Sequence, residues 1–129
     1  MASALIIDDS PFARRLIRHQ LTKLGFEIAG EAETAAQGLR LFRRLKPALV
    51  TLDVLMPERE GISSLEAFRA MRHEIPEAAV VVVSAVPFEK TRETFLSEGA
   101  LAYVVKPFGQ LSFEQVRQKL QRMSPHSTA

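Results

Sequence analysis

The chain of 129 residues is predicted to fold as an α/β domain in which a doubly wound, five-stranded parallel sheet is flanked by five helices. The main observation is an alternation of two periods. Short apolar runs of strand length are followed by segments whose apolar residues recur at helical spacing. The run at residues 26–29 instead alternates apolar and polar residues, which suits an edge strand. With right-handed crossovers, this pattern favours the strand order 2-1-3-4-5.

The first strand is predicted at residues 4–7, and Ser10 and Pro11 begin the helix that follows it. Gly25 is placed to end this helix. Its predicted outer face carries Arg14, Arg15, Arg18 and Lys23, and its buried face Phe12, Leu16, Ile17, Leu21 and Leu24. A capping-box pattern at residues 34–37 predicts a second helix that stops before Pro47, with Leu39, Phe42 and Leu45 inward.

The apolar run at residues 48–52 ends on Asp53, and Pro57 closes the segment, as expected of a buried strand that leads into a loop. A third helix ends before Pro76 and turns Ile62, Leu65, Phe68 and Met71 inward. The fourth strand, residues 79–83, ends on Ser84. A helix over residues 88–96 then leads to a fifth strand over residues 101–105, which ends on Lys106. The pattern at residues 112–115 predicts the cap of a last helix with Phe113, Val116, Leu120 and Met123 inward.

Composition excludes several classes of function. The chain has no cysteine, which removes disulfide frameworks, thiol catalysis and zinc–thiolate sites. Its 17 basic residues exceed its 15 acidic ones by only two and are spread along the chain, so direct binding to nucleic acid is not expected. The N-terminus does not resemble a signal peptide, and the longest apolar run, residues 78–83, is far too short to cross a membrane. We therefore expect a cytoplasmic protein with one module over residues 1–123 and a frayed tail over residues 124–129.

Polar residues with related chemistry follow neighbouring strands. The chain has only three aspartates: Asp8 and Asp9 follow the first strand, and Asp53 follows the third. In the predicted strand order these two strands are neighbours, so the three carboxylates meet at one edge and repel each other unless a cation lies among them. Oxygen ligands favour a hard divalent ion, most plausibly Mg²⁺. Ser84 and Lys106, at the ends of the next two strands, add a hydroxyl and an ammonium.

A carboxylate, a divalent metal, an ammonium and a hydroxyl together form a site for a phosphoryl group. Because cysteine is absent and no histidine lies near a strand end, a carboxylate is the natural acceptor. Asp53 is our choice, since Asp8 and Asp9 are paired for metal binding. His19, His73 and His126 show no ligand spacing and are predicted to lie at the surface.

These motifs resemble the receiver domain of bacterial two-component response regulators, which has a flavodoxin-like, CheY-like topology. The resemblance covers residues from about 3 to 123 and depends on five motifs in order at the strand ends. They are Asp8-Asp9-Ser10, Asp53 with Met56-Pro57 and Gly61, Ser84-Ala85, Gly99-Ala100 with Tyr103, and Lys106-Pro107-Phe108.

The resemblance implies a phosphorylation-dependent switch. Asp53 would accept a phosphoryl group from a phosphohistidine of a sensor histidine kinase or phosphotransfer protein. The cofactor Mg²⁺ would be held by Asp9, Asp53 and the backbone carbonyl of Leu55, and by Asp8 through water. Lys106 would pair with the phosphoryl oxygens, and the Lys106-Pro107 bond would be cis.

The same resemblance implies how the signal leaves the site. Ser84 would hydrogen-bond to the phosphate, and Tyr103 would turn inward and change the face that binds a downstream protein target. No enzymatic activity beyond the chain's own phosphorylation and dephosphorylation is implied. We expect a monomer or weak dimer. The cluster of Arg14, Arg15 and Arg18 is usually a solvated face, but it also suits docking to an acidic kinase surface.

Two positions depart from the polar residues that some receivers carry. Leu55 and Val86 are apolar and cannot orient a water for attack on the phosphate, which predicts slow self-dephosphorylation. Two alternatives remain open: an unphosphorylated scaffold with this fold, and a small-molecule phosphatase that forms an aspartyl-phosphate. The phosphatase would need a second acid two residues after its nucleophile, where this chain has Leu55.

Overall fold

The computed structural model describes residues 2–57, 61–85, 88–107 and 110–123. Five parallel strands form one sheet in the order β2-β1-β3-β4-β5, which confirms the predicted fold class and strand order. The strands are β1 (Ser3–Ile7), β2 (Glu27–Ala32), β3 (Leu49–Leu52), β4 (Ala79–Ser84) and β5 (Ala102–Val105). The helices are α1 (Pro11–Lys23), α2 (Ala35–Leu45), α3 (Ser64–Glu74), α4 (Glu89–Ser97) and α5 (Gln110–Met123).

The sheet is covered on both faces, as its continuously apolar central strands require. Along β1, β3 and β4, alternate apolar residues belong to two separate core clusters, because successive side chains of a strand point to opposite faces. One cluster contains Phe42, Phe68 and Phe95, from α2, α3 and α4. The other contains Ile17, Leu21, Phe113 and Val116, from α1 and α5.

Several local signals in the sequence act as predicted. Ser10 caps α1 by accepting a hydrogen bond from the backbone N–H of Ala13, and Pro11 is the first helical residue. Gly25 adopts a left-handed φ of 94° directly after this helix. Thr34 caps α2 by accepting from the N–H of Gln37, but the side chain of Gln37 accepts from Glu33 rather than from the cap residue itself. The pattern at residues 34–37 therefore marks the correct helix start through a variant of the predicted capping box.

The buried face of α1 is narrower than predicted. The side chains of Phe12 and Leu16 are exposed, with 65% and 40% of their surface accessible, so their assignment to the core was wrong. Ala13, Ile17 and Leu21 are the buried residues, spaced four apart along one line of the helix. A helix that packs on a flat sheet through one such line leaves neighbouring apolar side chains in solvent.

The start of the last helix also differs from the prediction. Ser112 was expected to cap α5, but the helix begins at Gln110, so Ser112 lies within its first turn. Ile62 precedes α3 rather than forming part of it, because Ser63 is the cap residue in a complete capping box with Glu66. The predicted tail, residues 124–129, lies outside the described residues, as do Val86, Phe108 and His126. Within the described ranges no helix combines the length and the apolar character needed to cross a membrane.

Candidate functional site

The carboxyl edge of the sheet brings the three aspartates together. The backbone N–H of Asp8 donates to Ala32 of β2, and that of Asp53 donates to Ile7 of β1, both at 3.0 Å. These bonds extend the sheet by one residue past each strand, so the first acid of the loop is placed by the sheet itself. Asp8, Asp9 and Asp53 each offer a carboxylate oxygen, and the three oxygens lie within 4.8 Å of one another. The predicted cluster is therefore present.

Lys106 reaches this cluster from the far strand. Its backbone N–H donates to the carbonyl of Ser84 at 2.8 Å, which fixes the chain as it leaves β5. Its ammonium nitrogen lies 2.7 Å from Oδ2 of Asp8 and 3.5 Å from Oδ2 of Asp53. The Lys106–Pro107 peptide bond is cis, as the resemblance implied. One ammonium thus faces two of the three carboxylates.

The acids differ in how firmly they are held. Asp8 is fully buried, and its Oδ1 accepts from the backbone N–H of Ser10 at 2.9 Å while its Oδ2 meets Lys106. Asp53 is 4% exposed, and its Oδ1 accepts from the backbone N–H of Leu55 at 2.9 Å. Asp9 is less buried than either. Both oxygens of Asp8 are therefore already bonded to the protein.

The pKa of Asp53 is raised above the ordinary value of an aspartate. Burial raises the pKa of Asp53, and the neighbouring charges of Asp8 and Asp9 raise it further, against the opposing effects of the Leu55 N–H and of Lys106. Burial alone would lower the pKa of Lys106, but the hydrogen bond to Asp8 and the charges of Asp53 and Asp8 raise it above its usual value. A single ammonium does not offset three clustered carboxylates.

The donor set fits a hard divalent cation. All three candidate ligands are carboxylates, which is the oxygen chemistry that Mg²⁺ prefers. A dication among them would remove the repulsion that raises the pKa of Asp53. Leu55, whose carbonyl was predicted to be a further ligand, lies in the loop directly after Asp53, and its side chain is 50% exposed.

Ser84 and Tyr103 lie on the same face of the sheet. Ser84 is the last residue of β4 and is fully buried. Tyr103 pairs with Val82 and packs, partly buried, against the core cluster that contains Val82. Since side chains two apart on a strand share a face, Ser84 lies on that face as well. The structure therefore places the two predicted switch residues on neighbouring strands and on one side.

Two contacts from side chains to the backbone of this site were not predicted. The guanidinium of Arg14 donates to the backbone carbonyl of Asp8 at 2.6 Å, although the sequence pattern assigned Arg14 to the outer face of α1. The buried hydroxyl of Ser64 donates to the backbone carbonyl of Asp53 at 2.8 Å. The only available signal was position: each residue lies near the start of a helix that follows one of the acids. His19 and His73 are exposed, as predicted.

Comparison with known proteins identifies the family to which this fold belongs. The family model for the response regulator receiver domain matches residues 4–120, and the chain therefore belongs to this family. The chain is 35% identical to the chemotaxis protein CheY of Thermotoga maritima over 104 residues, which cover 81% of this chain and 84% of that protein. It is 36% identical to CheY of Bacillus subtilis over the same length and the same shares. Phosphorylation-dependent signalling is general for this family.

Solved structures share the same architecture. A response regulator receiver domain protein from Clostridium thermocellum superposes with a TM-score of 0.83 at 24% identity, over 95% of this chain and 96% of that one. A chain of the CheX–CheY–BeF₃–Mg complex from Borrelia burgdorferi gives a TM-score of 0.81 at 24% identity, over 94% and 87% of the two chains. At this level of identity, these likenesses support the fold alone.

Proposed function

We propose that Asp53 accepts a phosphoryl group from a phosphohistidine of a sensor histidine kinase or phosphotransfer protein. The observation that carries this proposal is the convergence of Asp8, Asp9 and Lys106 around Asp53. In the transfer a carboxylate oxygen of Asp53 forms a bond to phosphorus, and the bond between phosphorus and the donor's imidazole nitrogen breaks. The electron pair of the broken bond stays with the imidazole, which takes up a proton.

Each residue of the cluster has a distinct part in this proposal. Asp9, Asp53 and the carbonyl of Leu55 would hold Mg²⁺, which neutralises charge on the transferring phosphoryl group. Asp8 would act on the metal through water, which suits a carboxylate whose two oxygens are already bonded to Ser10 and Lys106. Lys106, now 3.5 Å from Oδ2 of Asp53, would pair with the phosphoryl oxygens.

The phosphorylated site would signal through the face formed by α4, β5 and α5. Ser84 would donate its hydroxyl to a phosphoryl oxygen, and Tyr103 would move toward the space that Ser84 leaves. Their position on one face of adjacent strands supports this coupling. A downstream protein would then bind the altered surface. We propose a module of residues 1–123 that acts as a monomer or weak dimer in the cytoplasm, without direct contact to nucleic acid.

Labelling with a small phosphodonor tests the proposal directly. The wild-type chain, incubated with acetyl phosphate and Mg²⁺, is expected to gain one phosphoryl group by intact-mass measurement, and Asp53→Asn is expected to gain none. Asp9→Asn is expected to label much more slowly, because it removes a metal ligand. An unlabelled wild type would favour the unphosphorylated scaffold instead, and equal labelling of Asp53→Asn would assign the phosphoryl group to another residue.

We also propose that the phosphorylated state is long-lived. The half-exposed, apolar side chain of Leu55 follows the acceptor in the site and has no polar group with which to orient an attacking water. Replacing Leu55 by Asn and Val86 by Glu is expected to speed phosphate loss by about 100-fold, the lower end of the range for a positioned acid–base group. The rate is measured from the decay of the phosphorylated mass after removal of the donor. An unchanged or slower rate would refute this part of the proposal.

A further inference from the structure

Arg14 binds the main chain of an acidic residue rather than its carboxylate. Its Nη1 donates to the carbonyl oxygen of Asp8 at 2.6 Å, and its side chain is only 17% exposed. The N–H and both carboxylate oxygens of Asp8 are bonded to Ala32, Ser10 and Lys106. The bond from Arg14 therefore engages the remaining polar group of Asp8.

The guanidinium is itself fixed from the edge of the sheet. Nε of Arg14 lies 3.3 Å from Oε1 of Glu31, whose side chain is 22% exposed. Nε of Arg18, one turn further along α1, donates to Oε2 of the same glutamate at 2.6 Å. Glu31 lies on β2 beside Ile6 of β1, two residues before Asp8. One carboxylate on the edge strand thus holds two arginines of α1, and only one of them continues to the acid cluster.

We propose that Arg14 is a positioning residue for the divalent-cation site. The peptide unit between Asp8 and Asp9 is planar, so a bond that fixes the carbonyl of Asp8 also fixes the direction in which the chain enters Asp9. Asp9 is the least buried of the three acids, and within the described residues its carboxylate accepts no hydrogen bond of the kind that holds Asp8 and Asp53, so its position depends on its backbone. Groups that orient metal ligands from outside the ligand set commonly alter metal affinity by an order of magnitude. This inference rests on the proposed function, since it assumes that the cluster binds Mg²⁺.

Charge and positioning predict opposite effects when Arg14 is removed. A guanidinium close to the cluster repels a dication, so loss of its charge alone would tighten Mg²⁺ binding. Loss of the hydrogen bond that positions the carbonyl of Asp8 would weaken Mg²⁺ binding. The sign of the change in affinity therefore separates the two roles.

Arg18 provides a matched control. Arg14→Ala and Arg18→Ala each remove one positive charge and one contact to Glu31, but in the described part of the chain Arg18 has no bond to Asp8. The measurement is the Mg²⁺ dissociation constant of the unphosphorylated chain by titration calorimetry. We expect the constant to rise about 10-fold for Arg14→Ala and to stay the same or fall slightly for Arg18→Ala. Unchanged or tighter binding by Arg14→Ala, or equal weakening in both variants, would overturn the inference.

A second variant, Arg14→Lys, tests the same contact in case Arg14→Ala does not fold. Arg14→Lys retains the charge but has no fork with which to bridge Asp8 and Glu31 at once, so weaker Mg²⁺ binding than wild type is expected. Affinity equal to wild type would count against the need for this bridge and against the inference. If the wild-type chain itself binds no Mg²⁺, the proposed function fails. If the wild type binds Mg²⁺ and the Arg14 variants bind it with the same affinity, only the inference about Arg14 fails.

Discussion

The two ends of the sheet are built from the same strands but differ in chemistry. At the amino end, the loops and the C-terminal half of α5 enclose a groove of about 480 Å³. Its lining is mixed and includes the apolar residues Leu24, Phe26, Pro47, Ile75 and Leu120 together with Lys46, Glu77 and Arg117. At the carboxyl end, buried carboxylates and one ammonium lie within a few ångströms of each other. The groove and the reactive groups are at opposite ends of the sheet.

We propose that the clustered carboxylate charge, rather than the groove, marks the functional end of this molecule. None of the three aspartates lines the groove at the amino end. A buried carboxylate whose pKa is raised reduces the stability of the domain, because the fold disfavours its ionised form. Groups whose pKa values are shifted in this way cluster at ligand-binding and catalytic sites. Changes at the carboxyl end are therefore expected to depend on Mg²⁺, and changes at the amino end are not.

The largest expected effect on stability is at Lys106. Lys106→Met leaves the carboxylate of Asp8, which is 1% exposed, without its charged partner. Without Mg²⁺ this change is expected to lower the free energy of unfolding by about 3 kcal/mol, because an unpaired charge stays buried. Added Mg²⁺ is expected to recover part of the loss, since a dication supplies the missing positive charge. Urea denaturation with and without Mg²⁺ gives both values.

The matched control for this change is Lys90→Met, which removes an exposed lysine from α4. It is expected to change the free energy of unfolding by less than about 0.5 kcal/mol, with or without the ion. If both lysine variants lost the same free energy of unfolding, the loss in Lys106→Met could not be due to an unpaired buried charge at Asp8.

A smaller and opposite effect is expected at the amino end. Lys46 ends α2 with a left-handed φ of 48°, a conformation that favours glycine. Lys46→Gly is expected to raise the free energy of unfolding by about 0.5 to 1 kcal/mol, because relief of backbone strain exceeds the added freedom of the unfolded chain. The same denaturation series measures it. Mg²⁺ affinity is expected to stay at the wild-type value, and a changed affinity would show that the two ends of the sheet are coupled.

The sequence predicted the fold because its signals are local and agree with one another. Ser10 and Pro11 begin α1, Gly25 follows it, and the alternating edge strand fixes which strands are neighbours. That strand order by itself predicts that Asp8 lies beside Asp53. Periodicity did not distinguish Ile17, which is buried, from Leu16, which is exposed, because packing against the sheet decides how much of an apolar face is covered.

The hydrogen bonds by which Arg14 and Ser64 support the site could not be predicted from the sequence, for a different reason. The bonds from Arg14 and Ser64 go to backbone carbonyls, and every residue has a backbone carbonyl, so no residue type marks the acceptor. An arginine on α1 is a normal solvent-facing residue until the length of its side chain and the turn after β1 are known. The residues that carry charge were predictable, and those that hold them in place were not.

At the carboxyl end the three carboxylates repel one another, and we expect a divalent cation bound beside Asp53 to relieve this repulsion. The test is thermal unfolding of the wild type and of Asp53→Asn, each measured over a series of Mg²⁺ concentrations. We expect Mg²⁺ to raise the Tm of the wild type progressively, as binding to the folded state requires, and to have a much smaller effect on Asp53→Asn. We also expect Asp53→Asn to be at least as stable as the wild type without Mg²⁺, because the amide removes a buried charge. A wild-type Tm that does not change with Mg²⁺, or equal shifts in both chains, would rule out a cation site that includes Asp53.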